Sequence, residues 1–324
     1  MVCPLGRWVG VGIVALLLPG GCRDRADPSS APPVLRQTPV STNRLGVDRA
    51  TTLAALRMPH HHVAKELGAH VVTCRSTLST SVPSHPTRKV EEEVTLRADG
   101  AGHFAALKHT DPQHGEEVIW TGGWLYSRLR YSVFTRRRPR STREPTVIAD
   151  RMYGLLPAYV EILSRFIAVK RVGQGRHGGR EGIKVQLSLA QTPGPPPIQR
   201  APARRWRRYV TARAIKGSAI LDAKTGAPLS VKLKASWSFH PPKAGESASG
   251  IPQAVDRAVV GKTDLIFEQS ITEVGKKIAI DPPDPKEVKR SLRRVRLELE
   301  RQMLTGERPV SGRVDVDDED DDGE

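Results

Sequence analysis

Alternation of apolar and polar residues recurs along the middle of the chain and predicts strands. His70 to Leu78 is strand-like, and Val90, Val94 and Leu96 then alternate with Glu91, Glu93 and Thr95, so one face meets water. Asp99 and Gly100 supply a turn, and Gly102 to Leu107 the returning arm. Glu117–Trp120 and Trp124–Tyr131 form a second hairpin pattern through Gly122 and Gly123, and Ile183–Leu189 alternates again. The strongest pair joins Ala219–Asp222 to Leu229–Phe239. Val231, Leu233, Ala235, Trp237 and Phe239 face one way there, and Lys232, Lys234, Ser236 and Ser238 the other. A slip of one residue would bury both lysines, so the register is firmly specified. Thr263–Ile271 and Lys277–Ile280 complete the set.

Three stretches carry the helical period instead. Leu53, Leu56, Val63 and Leu67 predict a short helix near Thr51, with His60, His61 and His62 as a solvated turn after Pro59. Adjacent histidines cannot converge on one point of a helix, which argues against a metal site there. Between Thr146 and Ala168, Leu155, Tyr159, Ile162, Leu163 and Phe166 recur at three and four residues, and Pro157 implies a kink or two short helices. Asp284-Pro285-Lys286-Glu287 has the chemistry of a capping box. Val288, Leu292, Val295 and Leu299 follow as a narrow stripe among arginines, predicting an amphipathic helix over 285–304. Residues 191–203 and 241–261 are loops. Gly173–Gly175 and Gly178–Gly179 lack the lysine of a phosphate loop and read as a turn.

The N-terminus follows neither period. Trp8 to Leu18 is an uncharged run of 11 residues after Arg7, against the roughly 20 a bilayer-spanning helix needs. A positive start, a short apolar core and small residues at the break predict a secretory signal. The break, Leu18-Pro19-Gly20-Gly21-Cys22, resembles the lipobox of bacterial lipoproteins, with Pro19 where that family usually has an aliphatic residue. The resemblance implies removal of residues 1–21, acylation of Cys22 and attachment to a membrane. An ordinary secretion signal with an incidental Cys22 is the other reading. Residues 22–50 hold Pro28, Pro32, Pro33 and Pro39 without periodicity and read as a tether. Enteric lipoproteins retained at the inner membrane have Asp after the Cys. Arg23 stands there instead, which leans toward the outer membrane, facing the periplasm.

Composition sharpens this picture. Hydrophobic residues make up 38% of the 324 but aromatics only 5%, so the core must be largely aliphatic. The net charge is +16 although Asp315–Glu324 holds eight acidic residues in ten, so the remainder is more basic still. Residues 305–324 are expected to be a disordered acidic tail. A field of this sign attracts anionic surfaces, and export argues against nucleic acid. Cys3 leaves with the signal. Cys74 sits in a strand-like run as a small buried hydrophobe, or pairs with Cys22 if that residue carries no lipid. No nucleophile–base set, carboxylate pair, zinc spacing or phosphate loop is present, and His103, His109 and His114 are scattered. Neither catalysis, cofactor nor metal is expected.

An exported lipid-anchored Cys, antiparallel meanders with wet outer faces, an internal apolar helix and a late hairpin together resemble the LolA/LolB-like superfamily of lipoprotein carriers and mycobacterial lipid-binding lipoproteins. Their D-x-x-T-G-x-P hairpin matches Asp222, Thr225, Gly226 and Pro228. The resemblance covers roughly residues 51–284. It implies an α+β fold, a curved, half-open antiparallel β-barrel wrapped around helices, here followed by the C-terminal helix. It also implies an apolar cavity for acyl chains of phospholipid or lipoprotein. Val231, Leu233, Trp237, Leu265 and Phe267 are the lining candidates, and Arg128, Arg130, Lys232 and Lys234 the head-group candidates. A filled core at those five positions stands equally open. Two functions therefore remain: a non-enzymatic, membrane-tethered binder of lipid, or an envelope scaffold whose basic surface docks an anionic polymer or partner protein.

Overall fold

The computed structural model describes residues 40–83, 85–110, 114–195, 207, 209–239 and 261–290. The leader, Cys22, the tether to residue 39, the expected helix beyond residue 290 and the acidic tail lie outside the described residues.

A turn at Thr42–Arg44 leads into α1 (Arg49–Leu56) and α2 (His60–Leu67). Asp48 caps α1, its carboxylate accepting from the Thr51 amide at 2.8 Å. A first meander follows: β1 (His70–Ser81), β2 (Arg88–Ala98), β3 (Phe104–His109), β4 (Gly115–Thr121), β5 (Trp124–Leu129) and β6 (Phe134–Arg137). Helices α3 (Glu144–Tyr153) and α4 (Leu155–Leu163) lead to a second: β7 (Ile167–His177), β8 (Arg180–Leu189), β9 (Val210–Asp222), β10 (Pro228–Phe239) and β11 (Gly261–Thr272). A short β12 (Val288–Arg290) closes the described chain.

All twelve strands join one sheet in the order β12-β6-β5-β4-β3-β2-β1-β11-β10-β9-β8-β7. The two meanders meet where β1 pairs antiparallel with β11, Leu78 opposite Leu265 and Val72 opposite Ile271. Every pairing is antiparallel except the parallel β12–β6 contact. Among the described residues the ends β12 and β7 do not pair with each other, so the sheet they form is open.

One face of the sheet is apolar and carries the helices. Alternate residues of β8–β11 pack with α1 and α4 in one cluster containing Leu53, Leu156, Leu163, Val231 and Phe267. Those of β1–β5 pack with α2 and α3 in a second, around Val63, Leu96, Leu125 and Met152. Arg49 ties α1 to the end of α4, donating to the Ser164 and Ile167 carbonyls, both at 2.6 Å. The opposite face of β4–β6 holds a smaller cluster of Ile119, Tyr126 and Phe134, against which Ile280 and Val288 pack.

Several expectations need correction. Lys277–Ile280 forms no strand, and the segment read as a tether already belongs to the fold from residue 40, with Leu45 fully buried. The predicted C-terminal helix does not begin at Pro285. Asp284 caps only a 3-10 turn, Pro285–Glu287, and Val288–Arg290 then extend along the edge of β6. Tertiary context wins there, because Val288 packs on the Phe134 cluster and Glu287 pairs with Arg128 at 3.1 Å. The histidine run is not a solvated turn: His60 opens α2 and is buried. The stretch does form two short helices, but the break between them falls at Gly154 rather than at Pro157, which sits in the first turn of α4, where its missing N–H costs nothing. Gly173–Gly175 lie inside β7, at a bulge between Arg171 and Gly173.

Candidate functional site

The five lining candidates all lie on the helix-covered face. Val231, Leu233 and Trp237 alternate along β10, and Leu265 and Phe267 along β11, each no more than 4% exposed. Phe267 meets the Tyr159 ring edge-on at 5.6 Å, so α4 covers them directly. They are thus core residues of the first cluster, together with Leu156, Val160 and Phe166. At Trp237 the register shifts against β9, so Ser238 is buried as well and Phe239 only half-buried.

The head-group candidates are not gathered at one rim. Arg128 donates to Glu117 at 2.7 Å and Glu287 at 3.1 Å, and lies over the Phe134 ring at 4.2 Å. Arg130 lies over Tyr131 at 5.0 Å. Lys232 and Lys234 point to the outer face of β10, with Glu268 3.6 Å from Lys232. Five strands separate β5 from β10.

The matched hairpin is a structural device. Asp222 is buried, and its carboxylate accepts from the backbone amides of Lys224 (3.0 Å) and Thr225 (2.9 Å) and from the Thr225 hydroxyl (3.0 Å). Arg180 of β8 grips the same carboxylate bidentately. Burial works to raise this pKa, but Arg180 and the turn donors overcome it and hold the group below its ordinary value. Gly226 takes φ +76°, as the turn requires.

A polar seam crosses the interior between the two apolar clusters. His60 and His70 are buried with ring centroids 5.3 Å apart, and Tyr153 stands 5.7 Å from His60. Gln269 donates to the Tyr153 hydroxyl at 3.2 Å, and the Tyr159 hydroxyl reaches Ser76 at 3.2 Å. The Nε2 atoms of both histidines and Oε1 of Gln269 are buried without a hydrogen-bond partner. Desolvation, aided by His70 and His61, drives the His60 pKa down to about 3, and desolvation lowers His70 too. Cys74 is a buried free thiol whose pKa burial pushes far up, leaving it inert.

Sequence reasoning missed this seam, although a signal existed: extending the strand phases places His70 with Val72 and Gln269 with Phe267, on the inward face. A cleft of about 320 Å³ opens above it, between His60 and His61 of α2, the Gly100–His103 turn and Ala149 of α3. His61 and His103 are each oriented at its rim by a carboxylate, Asp150 and Asp99, both at 2.7 Å. Among the described residues, no group of three His, Cys, Asp or Glu is placed to hold a metal ion. A second cleft, about 470 Å³, lies at the far sheet edge between Asn43, Arg171, Arg176 and Glu181.

No family model matches this sequence, and no curated protein does. Several solved structures are similar in shape. The lipoprotein LppX of Mycobacterium tuberculosis is 12% identical, over 72% of this chain and 100% of that one, at a TM-score of 0.29. LprF of Mycobacterium bovis is 14% identical, over 72% and 96%, also at 0.29. A LolA-superfamily protein of Nitrosomonas europaea is 12% identical, over 75% and 98%, at 0.21. Likenesses at these scores carry no argument about family, ligand or partner.

Proposed function

We propose that this chain is a non-catalytic envelope protein, moored by a lipid on Cys22, that holds acyl chains of phospholipid or lipoprotein between its open sheet and the helices covering it. One observation carries the reading: the apolar face of an unclosed twelve-strand sheet is covered by four helices of 8 to 10 residues rather than by further sheet. Helices this short have little stability of their own and stay in place through side-chain packing. Lifting α4 breaks apolar contacts but no strand ladder, and it bares Val231, Leu233, Trp237, Leu265 and Phe267. Each methylene that enters recovers about 0.8 kcal/mol, so a chain of a dozen methylenes returns on the order of 10 kcal/mol. Lys232 and Lys234 project from the outer face of β10, on the other side of the sheet from these chains, so they are not the head-group contacts of this site. Incubation of delipidated protein with vesicles carrying a fluorescent-tailed phospholipid tests this. Saturable uptake of about one probe per chain is expected, and no uptake above that of an unrelated protein contradicts it.

The scaffold reading has one observation of its own, the stacking of Arg136 and Arg138 on Trp124 at 4.4 and 3.9 Å. Those guanidiniums present charge at the sheet edge for an anionic polymer or partner. If that reading is right, association with envelope fractions is lost as salt rises.

A further inference from the structure

The arginine-rich edge where the described chain ends points to an occupant within the same molecule. Arg136 and Arg137 end β6, Arg138, Arg140 and Arg143 follow before α3, and the carboxylate beside them is Glu144 at the start of α3. Glu144 is already committed, to the Arg137 guanidinium at 2.9 and 2.6 Å and to the Arg140 amide at 2.5 Å. Arg136 and Arg138 lie over the Trp124 ring, and Arg138 donates to the Gly123 carbonyl at 3.2 Å. Neither they nor Arg143 has a carboxylate partner among the described residues. A stacked guanidinium keeps its edge donors free, which suits it to bind a carboxylate.

The chain leaves the described fold at this spot. β12 runs parallel to β6, and its last residue, Arg290, is the strand partner of Arg136. Eight of the ten residues in Asp315–Glu324 are acidic, and residues 291–314 lie between. Fully extended, that connection reaches roughly 80 Å, far more than a return to the adjacent edge needs. We propose that Asp315–Glu324 docks on the Arg136–Arg138–Arg143 face of its own chain and masks it from external polyanions, which must displace the tail to bind.

A double-substitution cycle with heparin as the probe tests this at fixed, near-physiological salt. The four proteins are the intact chain, a tail-neutral variant with the eight acids changed to Asn or Gln, the triple variant R136S/R138S/R143S, and the combination. The tail-neutral variant should bind heparin about tenfold tighter than the intact chain. In that background the arginine substitutions should weaken binding about tenfold, but less than about twofold in the intact chain, where the face is already covered. Equal losses in both backgrounds are what net charge alone produces, and they overturn the proposal. Should the half-buried Arg136 position prove necessary for folding, the exposed pair R138S/R143S carries the same test. The coupling should persist on dilution; its disappearance would place the tail on a second copy and overturn the intramolecular contact.

Discussion

Burying an imidazole with a ring nitrogen unpartnered leaves it little room to charge, and His60 and His70 put this where stability can report it: both Nε2 atoms lack a partner, while His70 Nδ1 meets the Gly68 carbonyl at 2.7 Å. Both are neutral in the fold, with pKa values lowered by desolvation, His60 to about 3. The unfolded chain takes up a proton on each near 6.5, so their contribution is intact above that pH and fades as pH falls toward the folded value. Through His60, urea unfolding should lose about 1.4 kcal/mol per pH unit below 6.5, with His70 adding in the same direction, and His60→Phe should remove the His60 share of the slope. Asp222 works in a lower window. Its depressed pKa stabilises the fold above about 3.8, and this is lost as pH drops through the folded value. Asp222→Ala should cost about 3–5 kcal/mol at neutral pH by stranding Arg180 and the turn amides. Individual burial was legible wherever alternation was clean, as for Val231 and Leu233. His60 was not, because its neighbours Tyr153 and His70 come from other elements and a polar triplet has no apolar phase to betray an inward side chain.

Strands were legible where one face is wet and the other dry, which holds for β2, β8 and β10. Strand β7 was not. It is an edge strand with Lys170, Arg171 and a glycine bulge, and only Ile167 is fully buried, so its outward chemistry hides the period. The helix start at Pro285 failed for a different reason: Asp-Pro-x-Glu caps a single turn as well as a long helix, and nothing local records the waiting edge of β6. Helix α4 yields a contrasting pair of predictions. Pro157→Ala should change stability by less than about 1 kcal/mol, since a first-turn N–H has no helical partner to gain. Leu156→Ala, fully buried between α4 and the sheet, should cost about 2–5 kcal/mol. Thermal or denaturant unfolding checks both.

The strand order was the least legible feature of all, because β1 and β11 meet across some 190 residues and no local pattern names that partner. An open sheet nevertheless follows from it, since neither outer strand finds the other. Mooring belongs to this scale too: Cys22→Ser should move the protein from the membrane to the soluble fraction, read by fractionation and immunoblot. The most direct test of the central claim is organic-solvent extraction of protein purified from its native envelope, with mass spectrometry of what is released. About one diacyl lipid or acylated ligand per chain, beyond any covalent anchor, is the expected result. A chain that repeatedly yields no lipid would contradict an acyl site between sheet and helices.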